Sequence, residues 1–236
     1  TGTYYFNWTG PGTYTSTTQN PSSLVVGNYS LKITDANGCT YTNSVTITEP
    51  STLTIGSSNI VNVDCKGNST GSFSVSGSGG TTPYQYSISG GSFVSSGNFS
   101  GLGAGNYSVT IKDKNGCTAS TTVTITEPQS LSFTTSITHV DCKGASTGAI
   151  SISATGGTTS YSYNLNSGSY VTNASFNGLT AGTYTMGVKD ANGCTSKSTV
   201  VVVEPSSSVS VSVFSKVDVD CKGNSTGSVT VVGSGG

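Results

Sequence analysis

The residues with the most chemical potential in this sequence are six cysteines, one histidine and ten acidic side chains. Cysteines can act as nucleophiles, bind metals or form disulfides, and carboxylates can serve as general acids, general bases or calcium ligands. His139 is the only histidine, and no Cys-x-x-Cys spacing occurs. Zinc binding and Cys–His catalysis are therefore not predicted, and His139 is interpreted as structural. Disulfides are the chemistry that the cysteines favour, which indicates an oxidising compartment.

Nine of the ten acidic residues occupy three repeated positions, and only Asp218 stands apart. A catalytic site needs a unique set of converging groups, whereas this chain repeats one simple set. The sequence therefore predicts a protein that is not an enzyme and has no catalytic residues. The repeated positions are the Asp of a D-x-N-G turn (Asp35, Asp113, Asp190), the Asp before Cys (Asp64, Asp141, Asp220) and the Glu before Pro (Glu49, Glu127, Glu204).

The D-x-N-G motif is a strong hairpin signal, because Asn and Gly tolerate a positive φ. Its Asp is interpreted as the acceptor of an Asx-turn. A weaker alternative is a calcium ligand, but no fuller Asp-x-Asp-x-Asp loop is present, so no cofactor is predicted. The weak calcium candidates are Asp35, Asp113 and Asp190, and the structural turn residues are Asn37, Gly38, Asn115, Gly116, Asn192 and Gly193.

Cysteine spacing leaves the disulfide pairing open. The separation within a repeat is constant at 52 residues, which favours Cys65 with Cys117 and Cys142 with Cys194. Cys39 and Cys221 are then expected to pair outside the segment. In the ordinary strand order of an Ig domain, however, the turn near Cys65 and the D-x-N-G turn before Cys117 lie at opposite ends of the domain. They would then be too far apart to be bridged by a disulfide. Cys65 would then reach Cys194 of the following repeat, or the thiols would cross-link neighbouring chains.

These motifs recur about every 78 residues, a period that suits a small sandwich domain. Between them, apolar residues alternate with polar ones, as at Tyr184, Met186 and Val188. The predicted fold is all-β, with tandem Ig-like antiparallel β-sandwich repeats. The chain ends on Gly-Ser-Gly-Gly and begins where the next repeat position would continue, so we expect three repeat lengths of a continuing array. The predicted domains are residues 1–50 (C-terminal part of a repeat), 51–128 and 129–205 (complete repeats) and 206–236 (N-terminal part of the next repeat).

Composition excludes two classes of partner. Only 8% of the residues are charged, and the formal net charge is −1. A nucleic-acid-binding protein needs a basic surface to neutralise phosphates, so nucleic acid is not predicted as a partner. The sequence has no apolar run near the roughly 18 residues that a membrane-spanning helix needs, so no membrane insertion is predicted.

The segments VDCKGNSTGSFSVSGSGGTTPYQYSI and FSGLGAGNYSVTIKDKNGCTASTTVTITEP carry a family resemblance. Together they resemble the SprB repeat family, named for a giant cell-surface adhesin of gliding bacteria. The resemblance implies type IX secretion, surface display and a role in gliding, adhesion or contact with prey. It supplies no catalytic residues.

The expected function is a structural and adhesive repeat segment of a giant extracellular, cell-surface or filament protein. The expected partners are neighbouring repeats of the same chain. Two alternatives are a glycan-recognition module, which would use exposed Tyr and Asn residues, and a strand of an intertwined multi-chain appendage, in which other copies would be partners.

Overall fold

The computed structural model describes residues 2–236 and contains eighteen β-strands and no α-helix in that range. Every strand pairing with a described register is antiparallel, as at β13 with β15. The predicted all-β, antiparallel fold is therefore confirmed. Within the same residues, no helix has the length and apolar character that crossing a membrane requires. The strands are β1 (Tyr4–Thr9), β2 (Thr15–Ser16), β3 (Gly27–Asp35), β4 (Thr40–Ile47), β5 (Thr54–Val61), β6 (Gly71–Ser78), β7 (Gln85–Ile88), β8 (Asn98–Leu102), β9 (Gly105–Lys112), β10 (Thr118–Ile125), β11 (Ser132–Thr138), β12 (Gly148–Thr155), β13 (Ser162–Leu165), β14 (Ser175–Leu179), β15 (Gly182–Lys189), β16 (Thr195–Val202), β17 (Ser210–Val217) and β18 (Ser228–Ser234).

The strands form six sheets whose orders repeat along the chain. Two three-stranded sheets have the orders β5-β6-β8 and β10-β9-β7, and the next two have the orders β11-β12-β14 and β13-β15-β16. These correspond to the A-B-E and C-F-G sheets of an Ig-like sandwich. The N-terminal sheet has the order β2-β1-β3-β4, and the C-terminal sheet contains only β17 and β18.

The chain forms two compact units that alternate in sequence. The first contains the residues up to Ser57, Val75–Gly97 and Ser108–Thr122, and the second contains Ser58–Ser74, Asn98–Tyr107 and Val123–Gly236. This division passes through strands β5, β6, β9 and β10. The domain boundaries predicted from the repeat period, after residues 50, 128 and 205, stay a prediction.

One apolar core is formed by residues of the 129–205 sandwich, within the second unit. Ile150 and Ile152 of β12 face Met186 and Val188 of β15, and all four side chains are buried. They are two residues apart on their strands, which directs them to the same face of the sheet. The other buried members of this core are Val140, Tyr163, Leu179 and Val202.

A tyrosine at the start of the F-like strand closes a corner in each copy. In the second unit, the hydroxyl groups of Tyr107 and Tyr184 donate to the carbonyls of Gly103 and Thr180, each at 2.9 Å. In the first unit, Tyr29 makes the same bond to Val25 at 2.9 Å. This tyrosine corner is a hallmark of Ig-like sandwiches. From the sequence, Tyr184 was identified only as a strand position.

Candidate functional site

The D-C-K-G motif forms a tight turn, residues 64–70, which we call the DCKG turn. One carboxylate oxygen of Asp64 accepts hydrogen bonds from the Thr70 hydroxyl at 2.8 Å and the Asn68 amide at 3.1 Å. The backbone N–H of Asp64 donates in return to the Thr70 hydroxyl at 3.0 Å. The bonds from Thr70 and Asn68 hold the pKa of Asp64 below its ordinary value of 3.8. The equivalent turns at Asp141 and Asp220 use Thr147 and Thr226 in the same way.

The glutamate before proline locks this turn from the far end of its own repeat. The Glu127 carboxylate accepts from the Lys66 ammonium and from the backbone N–H of Gly67, the latter at 2.7 Å. Glu204 accepts from Gly144 N–H at 2.7 Å. The sequence identified Glu127 and Glu204 only as members of a repeated Glu-Pro motif. One sequence feature could have indicated this contact: the Glu stands 60 residues after the glycine of the DCKG turn in both copies.

The second motif, the D-x-N-G-C hairpin, is built on one buried carboxylate. Asp113 accepts from the backbone N–H groups of Asn115 at 2.9 Å, Cys117 at 2.8 Å and Thr81 at 2.9 Å. Gly116 adopts a φ of +88°, the left-handed conformation that favours glycine. These bonds, led by the one from Thr81, hold the pKa of Asp113 below its ordinary value of 3.8.

The equivalent hairpins share this arrangement. Asp190 accepts from Asn192, Cys194 and Thr158, and Asp35 accepts from Asn37 and Cys39. This is the Asx-turn geometry predicted for the motif. Within residues 2–236, no group of three or more His, Cys, Asp or Glu side chains is placed to hold a metal ion.

His139 occupies the position that Asn62 has in the preceding repeat, and the two side chains make equivalent hydrogen bonds. His139 Nδ1 accepts the backbone N–H of Val203 at 3.2 Å, and Asn62 Oδ1 accepts that of Thr126 at 2.9 Å. The structural interpretation of His139 agrees with this bond.

One disulfide joins a DCKG turn to a hairpin of the following repeat. Cys65 and Cys194 are bonded, with Cα atoms 5.7 Å apart and a sequence separation of 129. Beside the bond, the Asn192 side-chain amide donates to the carbonyl of Asp64 at 3.1 Å. Asn192 therefore contacts the DCKG turn at Asp64 and also forms part of its own D-x-N-G-C hairpin.

The pairing favoured by constant spacing, Cys65 with Cys117 and Cys142 with Cys194, is not the one in the structure. The structure instead contains the alternative that joins Cys65 to Cys194. The constant separation of the two cysteines follows from the repeat itself. Any two positions of the repeat are equally far apart in sequence in every copy, whether or not their side chains are in contact. The remaining cysteines, Cys39, Cys117, Cys142 and Cys221, are free and exposed. Pairing of Cys39 and Cys221 outside the segment stays a prediction.

Two open clefts accompany these turns. A polar cleft of about 420 Å³ adjoins the disulfide and is lined in part by Lys66, Asn68 and Ser130. In the first unit, a cleft of about 520 Å³ lies beside the Asp113 hairpin and includes Tyr84 and Gln85.

Comparison with known proteins finds a family resemblance at two segments that contain these turns. The sequence model of the SprB repeat matches residues 57–93 and 134–169, each of which contains one complete DCKG turn. No curated protein matches the chain.

Several solved structures are similar at low identity. Drosophila OTK extracellular domains 3–5 are 12% identical, with 85% of each chain covered and a TM-score of 0.33. The eight N-terminal Ig domains of Down Syndrome Cell Adhesion Molecule are 13% identical, with 84% of this chain and 32% of that chain covered and a TM-score of 0.35. Domains 1–6 of the surface layer protein SbsC are 15% identical, with 98% of this chain and 43% of that chain covered and a TM-score of 0.32. The present chain thus spans less than half of the last two.

Proposed function

We propose that this chain, a stretch of SprB repeats, is a structural and adhesive segment of an extracellular, cell-surface protein. The family match at residues 57–93 and 134–169 supports a repeat of that kind. The finer roles in attachment, gliding or contact with prey, and export by type IX secretion, belong to this proposal. So does the absence of enzymatic activity, which follows from the repetition of one simple set of acidic residues along the chain.

The observation that carries the proposal is the Cys65–Cys194 disulfide. It joins the DCKG turn of one repeat to the hairpin of the next, across a sequence separation of 129. A tandem array with such bonds transmits tension through covalent links between repeats, so a repeat that unfolds under force cannot extend fully. Disulfides persist in oxidising surroundings, which supports an extracellular location.

Single-molecule pulling on the whole chain tests this function. With the disulfide intact, the stretch from Cys65 to Cys194, a sequence separation of 129, cannot extend. Because an extended residue spans roughly 3.3–3.6 Å, reduction should add roughly 430–460 Å to the contour length. Cys194→Ser should reproduce the reduced behaviour without reductant, whereas Cys117→Ser should match the parent. Equal contour lengths before and after reduction would contradict the mechanical role.

Surface location has a separate test. An antibody against these repeats should label intact cells, and the label should disappear after mild protease treatment of the cell exterior. Labelling only after permeabilisation would place the protein inside the cell and overturn the proposal.

The cleft in the first unit favours glycan recognition as a second candidate function. It combines the aromatic ring of Tyr84 with the polar side chains of Gln85 and Asn115, a combination that suits the apolar face and the hydroxyls of a sugar. A glycan array probed with the oxidised chain should give signals that Tyr84→Ala and Gln85→Ala abolish. A spacer without this function would give no glycan-dependent signal.

A further inference from the structure

The Asp113 hairpin carries two lysines that its counterparts do not share. Lys112 and Lys114 stand on either side of Asp113, and both line the cleft of about 520 Å³ in the first unit. All three hairpins form the same Asx-turn, so the turn itself does not require this pair of lysines. The residues at the two equivalent positions are Thr34 and Ala36 in one hairpin and Lys189 and Ala191 in the other.

The positive charge of these lysines is not neutralised by a carboxylate. Within residues 2–236, the ion pairs are those of Lys66 and Lys216, and neither Lys112 nor Lys114 has an acidic partner. The Lys112 ammonium lies over the ring of Phe93, 4.2 Å from its centroid. An aromatic ring carries no net charge, so this contact positions the ammonium and leaves its charge available to a ligand.

The Asp113 carboxylate lines the same cleft but is directed into the turn. Asp113 is only 4% exposed, and its oxygens accept the backbone N–H groups of Thr81, Asn115 and Cys117. Its negative charge is therefore spread over the turn's own donors. A ligand that enters the cleft meets the two ammonium groups instead.

The remaining wall of the cleft offers an aromatic ring and an amide. The hydroxyl of Tyr84 donates to the Gly79 carbonyl, which fixes the orientation of the half-buried ring. Gln85 of β7 stands directly opposite Lys112 of β9 in the sheet, so the two side chains lie on the same face. An apolar surface, an uncharged polar group and a cation thus adjoin one another.

The third hairpin indicates that a joint between repeats leaves this face accessible. That hairpin is bonded through Cys194 to the DCKG turn of the preceding repeat. Ala191, the counterpart of Lys114, is nevertheless exposed, and Tyr161 is half-buried, as Tyr84 is. Access to the cleft therefore does not depend on the absence of a neighbouring repeat.

We propose that this cleft binds an acidic sugar, a pyranose ring that carries a carboxylate or a sulfate group. The apolar face of the ring packs on Tyr84, the Gln85 amide bonds its hydroxyls, and Lys112 and Lys114 bind the anionic group. The inference rests on the glycan recognition proposed above and specifies the class of glycan. The cleft volume lies within the range of about 300–1,000 Å³ that is typical of small-ligand sites.

Isothermal titration calorimetry of the whole oxidised chain tests this specificity. Trigalacturonate and sulfated maltotriose supply the two kinds of anion, and maltotriose is the neutral control. At least one acidic sugar should bind about tenfold or more tightly than maltotriose, and added salt should reduce this difference because it screens exposed charges. Triglutamate carries charge without a sugar ring and should bind more weakly than the preferred acidic sugar.

Lysine substitutions locate the site. Lys114→Ala should lower the affinity for the preferred acidic sugar about three- to tenfold, because one charge-assisted hydrogen bond is lost. The same change should leave the weak binding of maltotriose unaltered. The matched control is Lys32→Ala, at an exposed lysine of the same unit that does not line the cleft.

A gain of binding tests the same assignment without weakening the site. Ala191→Lys combined with Ser162→Gln gives the third hairpin the side chains of Lys114 and Gln85. The number of acidic trisaccharides bound per chain should rise from one to two. Ala191 is exposed, so the added lysine side chain extends into solvent and the hairpin keeps its fold.

The outcomes separate this inference from the function on which it rests. Equal affinities for maltotriose and both acidic sugars would overturn the acidic specificity and leave glycan recognition standing. Equal binding of triglutamate, or an affinity that Lys114→Ala leaves unchanged, would also overturn it. If no saccharide binds at all, glycan recognition itself is wrong, whereas the contour-length test of the mechanical role is unaffected.

Discussion

Single carboxylates organise both kinds of turn in the repeat, because each accepts N–H groups that strand pairing leaves over. Asp113 satisfies three backbone N–H groups and Asp64 ties together the two ends of its turn. The Glu127 carboxylate bonds to Lys66 and Gly67, which hold its pKa below the ordinary value of 4.5. All of these bonds favour the ionised form of the acid.

The stability of the fold should therefore depend on pH in the acid range. The folded pKa of Asp113 lies below its ordinary value of 3.8, so the folded state binds fewer protons than the unfolded state. This contribution is fully present above about pH 4 and is lost as the pH falls through the folded pKa. We expect the urea midpoint to be constant between about pH 5 and 7 and to fall below about pH 4.

A substitution series identifies the groups responsible. Asp113→Asn should lower the midpoint at neutral pH and make its decline at low pH shallower. The matched control is Asp218→Asn, because Asp218 makes only an exposed ion pair with Lys216 and should leave the profile unchanged. Identical acid profiles for Asp113→Asn and the parent chain would contradict this assignment.

At the scale of structural elements, each tyrosine corner uses one hydrogen bond to hold the start of a strand against the segment that precedes it. Tyr107 and Tyr184 each bond a carbonyl four residues earlier. Changing either to Phe keeps the ring packing and removes the bond, which should cost about 1 kcal/mol of unfolding free energy. Urea denaturation measures this loss. Tyr41→Phe, at a side chain that is 70% exposed, should cost nothing measurable.

For the D-x-N-G-C hairpin, the sequence left calcium binding open as a weaker alternative to an Asx-turn. Each Asp there accepts at least two backbone N–H bonds. A cation that binds only the folded state raises the melting temperature by mass action, and removing it would lower that temperature. Because the hairpins are explained by backbone hydrogen bonds alone, we expect EDTA to leave the melting temperature unchanged. A rise of several degrees on adding calcium, abolished by Asp190→Asn, would show that the hairpins bind the ion.

For the whole molecule, the long-range disulfide should dominate stability in the second unit. It closes a loop of 129 residues, and removing it by Cys194→Ser should cost about 2–4 kcal/mol. Chemical denaturation with and without reductant provides the measurement. Cys117→Ser removes a free, exposed thiol and serves as the control. Equal midpoints for Cys194→Ser and the oxidised parent would show that the bond adds no stability.

The domain boundaries predicted from the repeat period can be tested at the same scale. A fragment of residues 51–205 contains both complete sets of six strands, whereas residues 1–50 contain one sheet. We expect the longer fragment to melt cooperatively and the shorter one to show no cooperative transition and to aggregate. Cooperative folding of residues 1–50 alone would show that the boundaries are wrong.

The sequence alone determined the strands, the turns and their repetition. Alternation of apolar residues, as at Met186 and Val188, and the hairpin signal at Asn192 and Gly193 act over a few neighbouring residues. These local preferences recur with each repeat, so the all-β fold and its period could be read without coordinates. The structural interpretation of His139 rested on its being the only histidine, with no Cys-x-x-Cys spacing to accompany it.

Only the tertiary structure decided which turns meet. Cys65 bonds Cys194 instead of Cys117, and Glu127 returns to Gly67 across 60 residues. Such contacts depend on which ends of the folded sheets approach one another, and a 5.7 Å separation between Cα atoms has no counterpart in sequence distance. In a repeat protein, equal spacing along the chain is shared by every set of equivalent residues, so proximity is decided only when the sheets pack.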